Sequence, residues 1–517
     1  MYYKLNLKLQ PKRYLIFALK TDFDIIIIGG GINGAGIARD ASGKGYSVAL
    51  LEMNDLASAT SSWSTKLIHG GLRYMEQYQF RLVREALIER EKLMEIAPHI
   101  IRPLRFILPH SPSLRPSWLI KLGLLIYDNI IRRNYLPSSK SVNFNSLNEN
   151  PLKENYKKGF EYSDCMVEDA RLVILNAMDA KINNATIMTN TEVIKLENDG
   201  VKWLVEAKNK INGASKKIKL SSKVLVNASG PWTDKLISVI NKNRHNQKNT
   251  KLIKGSHIVV PKIYSHDKAY IFQHFDGRII FTIPFEKDFS LIGTTDIAYN
   301  GNPSKAKISK DEIDYLCKAV SSYFRKEINS SHIIWNYSGV RSLFDDGSLN
   351  AKDITRDYKI ETDYLNRLMY LSIFGGKITT YRKLAEEVTK IIDNKFGKKS
   401  KNWTSNKPLP GGEFSPSQFN SLLKKNIKKY SFIDQKIIER LFKSYGTNLQ
   451  NILKKKTSIK ELGINFGAGL YQCEVEWLIK NEWAKTASDI AWRRTKLGIV
   501  LSSNEIKSLD QYIASRK

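Results

Sequence analysis

The chain has 517 residues, 42% apolar and 10% aromatic, with 82 Lys and Arg against 51 Asp and Glu, a formal net charge of +31. That length exceeds one ordinary core and implies two or three domains, and the apolar content excludes a disordered chain. The cation surplus favours an anionic partner (nucleic acid, a membrane surface or a phosphorylated metabolite), although a compositional bias toward Lys, Asn and Ile produces the same number.

Residues 1–21 form a basic arm with a short apolar patch, Tyr14 to Leu19. The patch is short for a signal-peptide core and no good cleavage site follows, so a fraying arm is expected, with a targeting role as the alternative. Asp24 to Ile28 is a continuous β-branched run, the pattern of a strand buried on both faces. It enters Gly29, Gly31 and Gly34 in G-x-G-x-x-G spacing, then a small-residue helix, then a second strand, Ser47 to Leu51, ending at Glu52. This strand, turn, helix, strand and acid succession is specific for an adenine dinucleotide. Gly29 allows the tight turn, Gly31 lets backbone approach a pyrophosphate at the helix N-terminus, and Glu52 accepts from a ribose diol.

Next comes a hydroxyl-rich loop with Thr60, Ser61 and Ser62, then STKLIHGGLRY, which crowds Lys66, His69, Gly70, Gly71, Arg73 and Tyr74 into a few residues. A charged helix is expected from about Gln79 to Glu95. A nicotinamide domain would proceed quickly to its third strand. The polar, glycine-rich insertion instead favours a flavin lying extended along the protein, hence FAD. Residues 114–133 are strongly apolar with flanking cations, too mixed to span a bilayer, and fit either an interfacial helix or a buried one.

A later strand, Lys223 to Asn227, ends in Ala-Ser-Gly at Gly230 and suits a further strand of the same sheet. There is one dinucleotide motif, so electrons must leave the flavin for something other than a stably bound nicotinamide. Segments 200–207, 269–272, 278–283 and 290–296 suit an antiparallel substrate-domain sheet, and Gly375-Gly376-Lys377 opens a turn and helix facing the flavin. Residues 409–416 have linker composition, and helical periodicity follows. Cys165, Cys317 and Cys473 are far apart, without a CxxC pair, so neither a disulfide framework nor a metal site is expected and a reducing compartment fits.

These residues carry a resemblance. Segments IIIIGGGINGAGIARDASGKGYSVALLE (25–52), DLASATSSWSTKLIHGGLRY (55–74), LIKGSHIVVP (252–261), YSGVRSL (337–343), TRDY (355–358), FGGKITTYRKLAE (374–386) and WRRTKLG (492–498) resemble the respiratory FAD-dependent glycerol-3-phosphate dehydrogenases. The resemblance spans roughly residues 22–500. Only its first segment is common to flavoproteins in general. It departs at Ser342, where the family often has proline, at Trp63, where a small residue is usual, and in a longer N-terminal arm.

The resemblance implies an α/β plus α architecture: a Rossmann-like FAD-binding domain with an interleaved mixed or antiparallel-sheet substrate domain over 22–400, and a C-terminal helical cap over 401–517. It implies oxidation of sn-glycerol 3-phosphate to dihydroxyacetone phosphate, with electrons passed to membrane quinone, by an enzyme held peripherally on an anionic membrane surface at the inner face of the cytoplasmic membrane. A homodimer is left open, and a soluble oxidase that releases hydrogen peroxide is the alternative. An amine or amino-acid oxidase fits these segments less well, and no basic and aromatic stripe supports a nucleic-acid partner.

By the same resemblance, Arg341 and Arg356 are the phosphate and substrate holders, with Arg73, Tyr74 and Lys377 nearer the reacting carbon or the flavin. Asp345, Asp346 and Asp357 are candidate ion-pair partners for these cations. His257, at a strand entry, is the favoured general base, with Lys377 competing and His69 a flavin contact.

Overall fold

The computed structural model describes residues 20–516, apart from 112–115, 147–148, 212–213, 241–248, 275, 294–295, 346 and 348–356, and apart from the side chains of residues 73, 77 and 211. Most of the N-terminal arm, Asp346 and Arg356 therefore lie outside the described residues, as does the side chain of Arg73.

Asp22–Ile28 is the centre of an eight-stranded sheet. Its isoleucines are buried on both faces, as a β-branched run between two packed layers requires. It pairs in parallel with Val48–Leu51 on one side and with Ala214–Asn227 on the other. Thr186–Met188 and Leu368–Phe374 extend the parallel core outward, and Lys359–Leu365 closes one edge antiparallel. On one face lie the helices Ile32–Gly43, Asp169–Ile182 and Tyr381–Lys395. Small residues make that close: a Cβ on Gly36 would stand 2.7 Å from the Tyr381 ring. The remaining two strands of this sheet, Trp203–Ile211 and Thr191–Asn198, continue antiparallel from the first half of Ala214–Asn227 and pack with the helix Thr233–Ile240 around Trp203, so the strand expected at 200–207 belongs to this sheet and not to the substrate-domain sheet.

The second sheet has ten strands and is antiparallel but for one parallel contact, between Ile101–His110 and Ala269–Gln273. Trp335–Phe344, Thr250–Pro261, Phe289–Gly293, Ile279–Phe285, Ala269–Gln273, Ile101–His110 and Lys158–Val167 lie side by side in that order. The helix Lys310–Ser321, with a Ser309/Glu312 capping box, packs against its outer face.

Helices Phe419–Lys429, Gln435–Tyr445, Leu449–Leu453, Gln472–Asn481 and Ser503–Ser515 share a core of their own. The segment before them is not an exposed linker. Leu409 is fully buried, and Cβ atoms on Gly411 and Gly412 would meet the carbonyls of Tyr445 and Ile96. Trp403 lies under Gly43 and donates to the Asp40 carbonyl at 3.2 Å. Glycines signal a sharp turn, and here the turn is wedged between packed units rather than exposed to water.

Candidate active site

Two cavities meet at the carboxyl ends of the parallel strands, where open α/β sheets bind ligands. The first, about 230 Å³, is lined by Ile28, Gly29, Gly31, Asn33, Glu52 and Gly230 among others. Gly29 has φ +114°, and a Cβ there would stand 2.4 Å from the Ala228 carbonyl. Gly31 caps the helix Ile32–Gly43, and Ser61 Oγ accepts from the Ile32 amide at 2.9 Å, bringing the hydroxyl-rich loop onto the helix start. The two Glu52 oxygens accept from the amides of Gly30 at 2.7 Å and Asn54 at 2.8 Å. Burial raises the Glu52 carboxyl above its ordinary range, and these amides oppose the rise. Asn33 lines the cavity, and its Oδ1 is buried without a partner among the described residues.

The second cavity, about 300 Å³, lies over one face of the ten-stranded sheet. Its floor is Tyr162 and Asp164, then Phe106, Ile271, Phe281, His257 and Arg341, drawn from six strands. Its roof is Thr60, Ser61, Thr65, His69, Gly71, Tyr74, Gly376 and Lys377. Thr60, Ser61, Arg341 and Gly376 line both cavities, so the two run end to end. This elongated, backbone-walled crevice with an acid at one end fits a flavin dinucleotide.

His257 is buried and stacks on Tyr337 with ring centroids 4.8 Å apart. Its Nε2 lies 3.0 Å from Thr65 Oγ1. Burial, then the charges of Lys66 and Arg341, push the imidazole down to about 3, so it is neutral at physiological pH. Arg341 pairs with Asp296, which also lines the cavity. The ammonium of Lys377 stands 3.9 Å from the centroid of the Tyr74 ring. Gly71 makes that ring's position possible: it has φ +74°, and a Cβ there would stand 2.4 Å from the Tyr74 ring.

Several expected residues act from outside the cavity walls. Lys66 turns away to Asp169 at 2.9 Å and to the Ser62 carbonyl at 3.0 Å. Its side chain is pinned by a buried carboxylate, held below the usual range because Lys66 and Lys496 outweigh the cost of burial. Ser62 is buried and its hydroxyl donates to the Ala59 carbonyl. Gly34 packs helix on strand, since a Cβ would stand 1.9 Å from the Gly29 carbonyl. Gly70 lies against Leu87 and Tyr127, with its amide donating to the Tyr127 hydroxyl at 2.9 Å. Asp345 pairs with Lys251, and Asp357 with Arg81.

Sequence reasoning missed Asp296, Thr65, Tyr337, Arg278 and Asp164 as wall or support residues. Asp296 and Tyr337 sit in segments that carry the resemblance or its strands, but nothing local marks them as site residues. The cap also reaches the site. Arg494 forks onto Asp55 at 2.6 and 2.8 Å, and Arg493 adds a contact at 2.5 Å. Asp55 follows the dinucleotide acid by three residues. Burial would raise its carboxyl, but Arg494 and Arg493 hold it below the ordinary range. Trp492 stacks on Trp335 with centroids 4.7 Å apart, so the cap also backs the strand that carries Tyr337 and Arg341.

Comparison with known proteins gives two family matches. Residues 24–382 match the FAD dependent oxidoreductase family, and residues 402–515 match the C-terminal domain of alpha-glycerophosphate oxidase. The chain is 44% identical to a D-erythritol 1-phosphate dehydrogenase of Brucella abortus, over 93% of this chain and 96% of that one. It is equally 44% identical to a glycerol-3-phosphate dehydrogenase of Pseudomonas aeruginosa, over 95% of each. The crystal structure of a glycerol-3-phosphate dehydrogenase from Bacillus halodurans complexed with FAD superposes with a TM-score of 0.76 at 27% identity, covering 96% of this chain and 90% of that one.

Proposed function

The chain belongs to the FAD-dependent glycerol-3-phosphate dehydrogenase family, and we propose that it oxidises sn-glycerol 3-phosphate to dihydroxyacetone phosphate and passes the electrons to membrane quinone. The observation that carries this reading is one continuous crevice that joins a dinucleotide site to a pocket holding a neutral imidazole and fixed cations. FAD, when bound, supplies the hydride acceptor.

The residues of the chain supply the rest. Arg341 binds the phosphate bidentately. Lys377, against Tyr74, favours the developing negative charge on the substrate oxygen. His257 is the base: the Thr65 hydroxyl, 3.0 Å from its Nε2, donates to that nitrogen and takes the substrate's hydroxyl proton in turn, so the proton reaches Nε2 through Thr65. Burial first, then Lys66 and Arg341, suppress the basicity of His257. A bound phosphate dianion offsets those charges and raises it, so the base strengthens as substrate arrives.

The test is an anaerobic flavin spectrum of the FAD-loaded protein before and after sn-glycerol 3-phosphate. Bleaching of the oxidised band supports the assignment, and a spectrum that stays oxidised overturns the substrate. Erythritol phosphate is the parallel arm, because the chain is as similar to a dehydrogenase of that substrate. Reoxidation by quinone rather than oxygen supports the dehydrogenase, whereas peroxide release establishes the oxidase. Loss of reduction in H257Q rather than K377M assigns the base to His257, and the reverse assigns it to Lys377.

For membrane attachment, we propose the helix Ser117–Asn129. Trp118, Leu119, Leu122, Leu125 and Ile126 are exposed along it, and Tyr78 and Phe80 are exposed beside the segment it packs on. Among the described residues, no helix is long and apolar enough to cross a membrane. An amphipathic helix with such a face, followed by the exposed Arg132, lies in the lipid interface. Flotation with anionic vesicles tests it: the combined W118S, L122S and L125S variant stays at the bottom of the gradient with its flavin intact. Unchanged flotation places the attachment elsewhere.

A further inference from the structure

The carboxylate that claims Lys66 holds more than one side chain. Asp169, the first residue of the helix Asp169–Ile182, is fully buried. It grips the chain on both sides of Thr65. The Ser64 hydroxyl donates to Asp169 Oδ2 at 2.7 Å, and the Lys66 ammonium donates to the two carboxylate oxygens at 2.9 and 3.0 Å. Ser64 Oγ also accepts from the Lys66 amide at 2.9 Å, so the three groups close one small ring of contacts. Thr65, between them, is not part of that ring, and its hydroxyl stands 3.0 Å from His257 Nε2.

Lys66 has φ +59°, a left-handed backbone that is unfavourable for a residue with a side chain and is kept only where several contacts enforce it. The enforcing contacts are Asp169, the Ser62 carbonyl, and the Val167 amide, which donates to the Lys66 carbonyl at 2.9 Å. The same turn reaches His257 by a second route. The Tyr337 hydroxyl donates to the Ser64 carbonyl at 2.7 Å, its ring stacks on His257, and the Lys66 ammonium stands 5.1 Å from the centroid of that ring. Two groups in contact with the imidazole, the Thr65 hydroxyl and the Tyr337 ring, are therefore anchored on the pair that Asp169 grips. Lys66, with Lys496 of the cap at 3.8 Å, is enough to balance the charge of Asp169. The bond to Ser64 adds direction to that balance.

We propose that Asp169 is the positioning residue of the proton relay: it fixes Ser64 and Lys66 so that the hydroxyl of the intervening Thr65 is aimed at His257 Nε2. This rests on the dehydrogenase reading above. Asp169 lines neither cavity, whereas Ser64, Thr65 and His257 line the one over the second sheet. It therefore acts through Thr65. The substrate O–H bond breaks as its proton passes to the Thr65 oxygen, the Thr65 proton passes to Nε2, and no bond to Asp169 forms or breaks. Its contribution is to proton transfer rather than to holding the phosphate.

The experiment is a double-mutant cycle of D169N with T65V in the FAD-loaded protein, read by the limiting rate of anaerobic flavin reduction by sn-glycerol 3-phosphate. D169N is expected to lower that rate at least tenfold while half-saturation stays within threefold, and to lower it less than threefold once T65V has removed the relay. S64A takes away one arm of the grip without changing charge, and falls between, with the same dependence on Thr65. Equal losses in the two backgrounds, or a change in half-saturation alone, overturn the proposal. If D169N does not retain flavin, S64A decides by the same criterion. Nitrogen-15 NMR of histidine-labelled protein reads the contact without substrate: His257 Nε2 is a hydrogen-bonded acceptor in wild type and a free one in D169N and S64A. Wild type that is not reduced by sn-glycerol 3-phosphate sinks the functional reading and leaves the positioning of Thr65 to be judged by this signal, which overturns the proposal if both variants leave it unchanged.

Discussion

The crevice at the strand ends and the cavity over the second sheet adjoin, yet they are made differently. The crevice is walled by backbone: Gly29, Gly31 and Gly230 keep side chains out, and Glu52 is fixed by two amides from its own neighbourhood. The cavity is floored by side chains from six strands, and its cations are held by aromatic rings or carboxylates from distant parts of the chain. A backbone-walled site tolerates no added atoms, whereas a side-chain site tolerates repacking but not the loss of a charge.

That contrast can be broken at its strongest point. Arg341→Met removes a bidentate phosphate donor and leaves Asp296 without the guanidinium that holds it. The expected loss in kcat/KM is about a thousandfold, ~4 kcal/mol, with flavin content unchanged. If flavin is lost instead, Arg341 belongs to the crevice rather than to the cavity, since it lines both.

Gly34→Val has the opposite profile. Its first added carbon already overlaps the Gly29 carbonyl, so the helix must move off the strand. We expect a destabilisation of about 3 kcal/mol in chemical denaturation and a protein purified without flavin. Retention of full flavin occupancy would mean that the helix start is more adaptable than its packing implies.

Acid sharpens the comparison, because buried imidazoles support the cavity floor and the cap junction but not the crevice. His257 and His99 are both pushed from 6.5 down to about 3, each chiefly by burial. The unfolded chain binds these protons first, so their contribution to stability is complete above pH 6.5 and is lost progressively as pH falls toward 3. Each histidine should cost about 2 kcal/mol between pH 7 and pH 5. Urea unfolding across that range checks this, and H99Q should flatten the slope by one proton.

The smallest effect is expected at the seam. Ser61→Ala removes the acceptor for the Ile32 amide at the start of the helix. It should weaken FAD retention by about 1 kcal/mol, fivefold in the dissociation constant, while leaving the limiting rate of reduction alone.

Much of the crevice was legible because its determinants are local. A β-branched run, three spaced glycines and an acid at the end of the next strand are consequences of one supersecondary unit. Within that unit the roles still divided: Gly31 faces the cavity, whereas Gly34 serves helix packing. The dense polarity of STKLIHGGLRY was visible, but not its sorting. Lys66 is claimed by Asp169, more than a hundred residues away, whereas His69 and Tyr74 line the cavity. The linker composition of 409–416 was equally visible, and equally silent about the Ile96 and Tyr445 carbonyls that pinch it.

By itself, then, the sequence determined the dinucleotide turn, the family and the residue types able to hold a phosphate and move a proton, because those follow from spacing and local backbone geometry. The tertiary structure alone decided which of the cations faces the cavity, that His257 is neutral, and that Arg493 and Arg494 of the cap grip Asp55 beside the cofactor crevice. Burial and the nearest counter-charge set those outcomes, and both depend on strands and helices that meet only when the whole chain has folded.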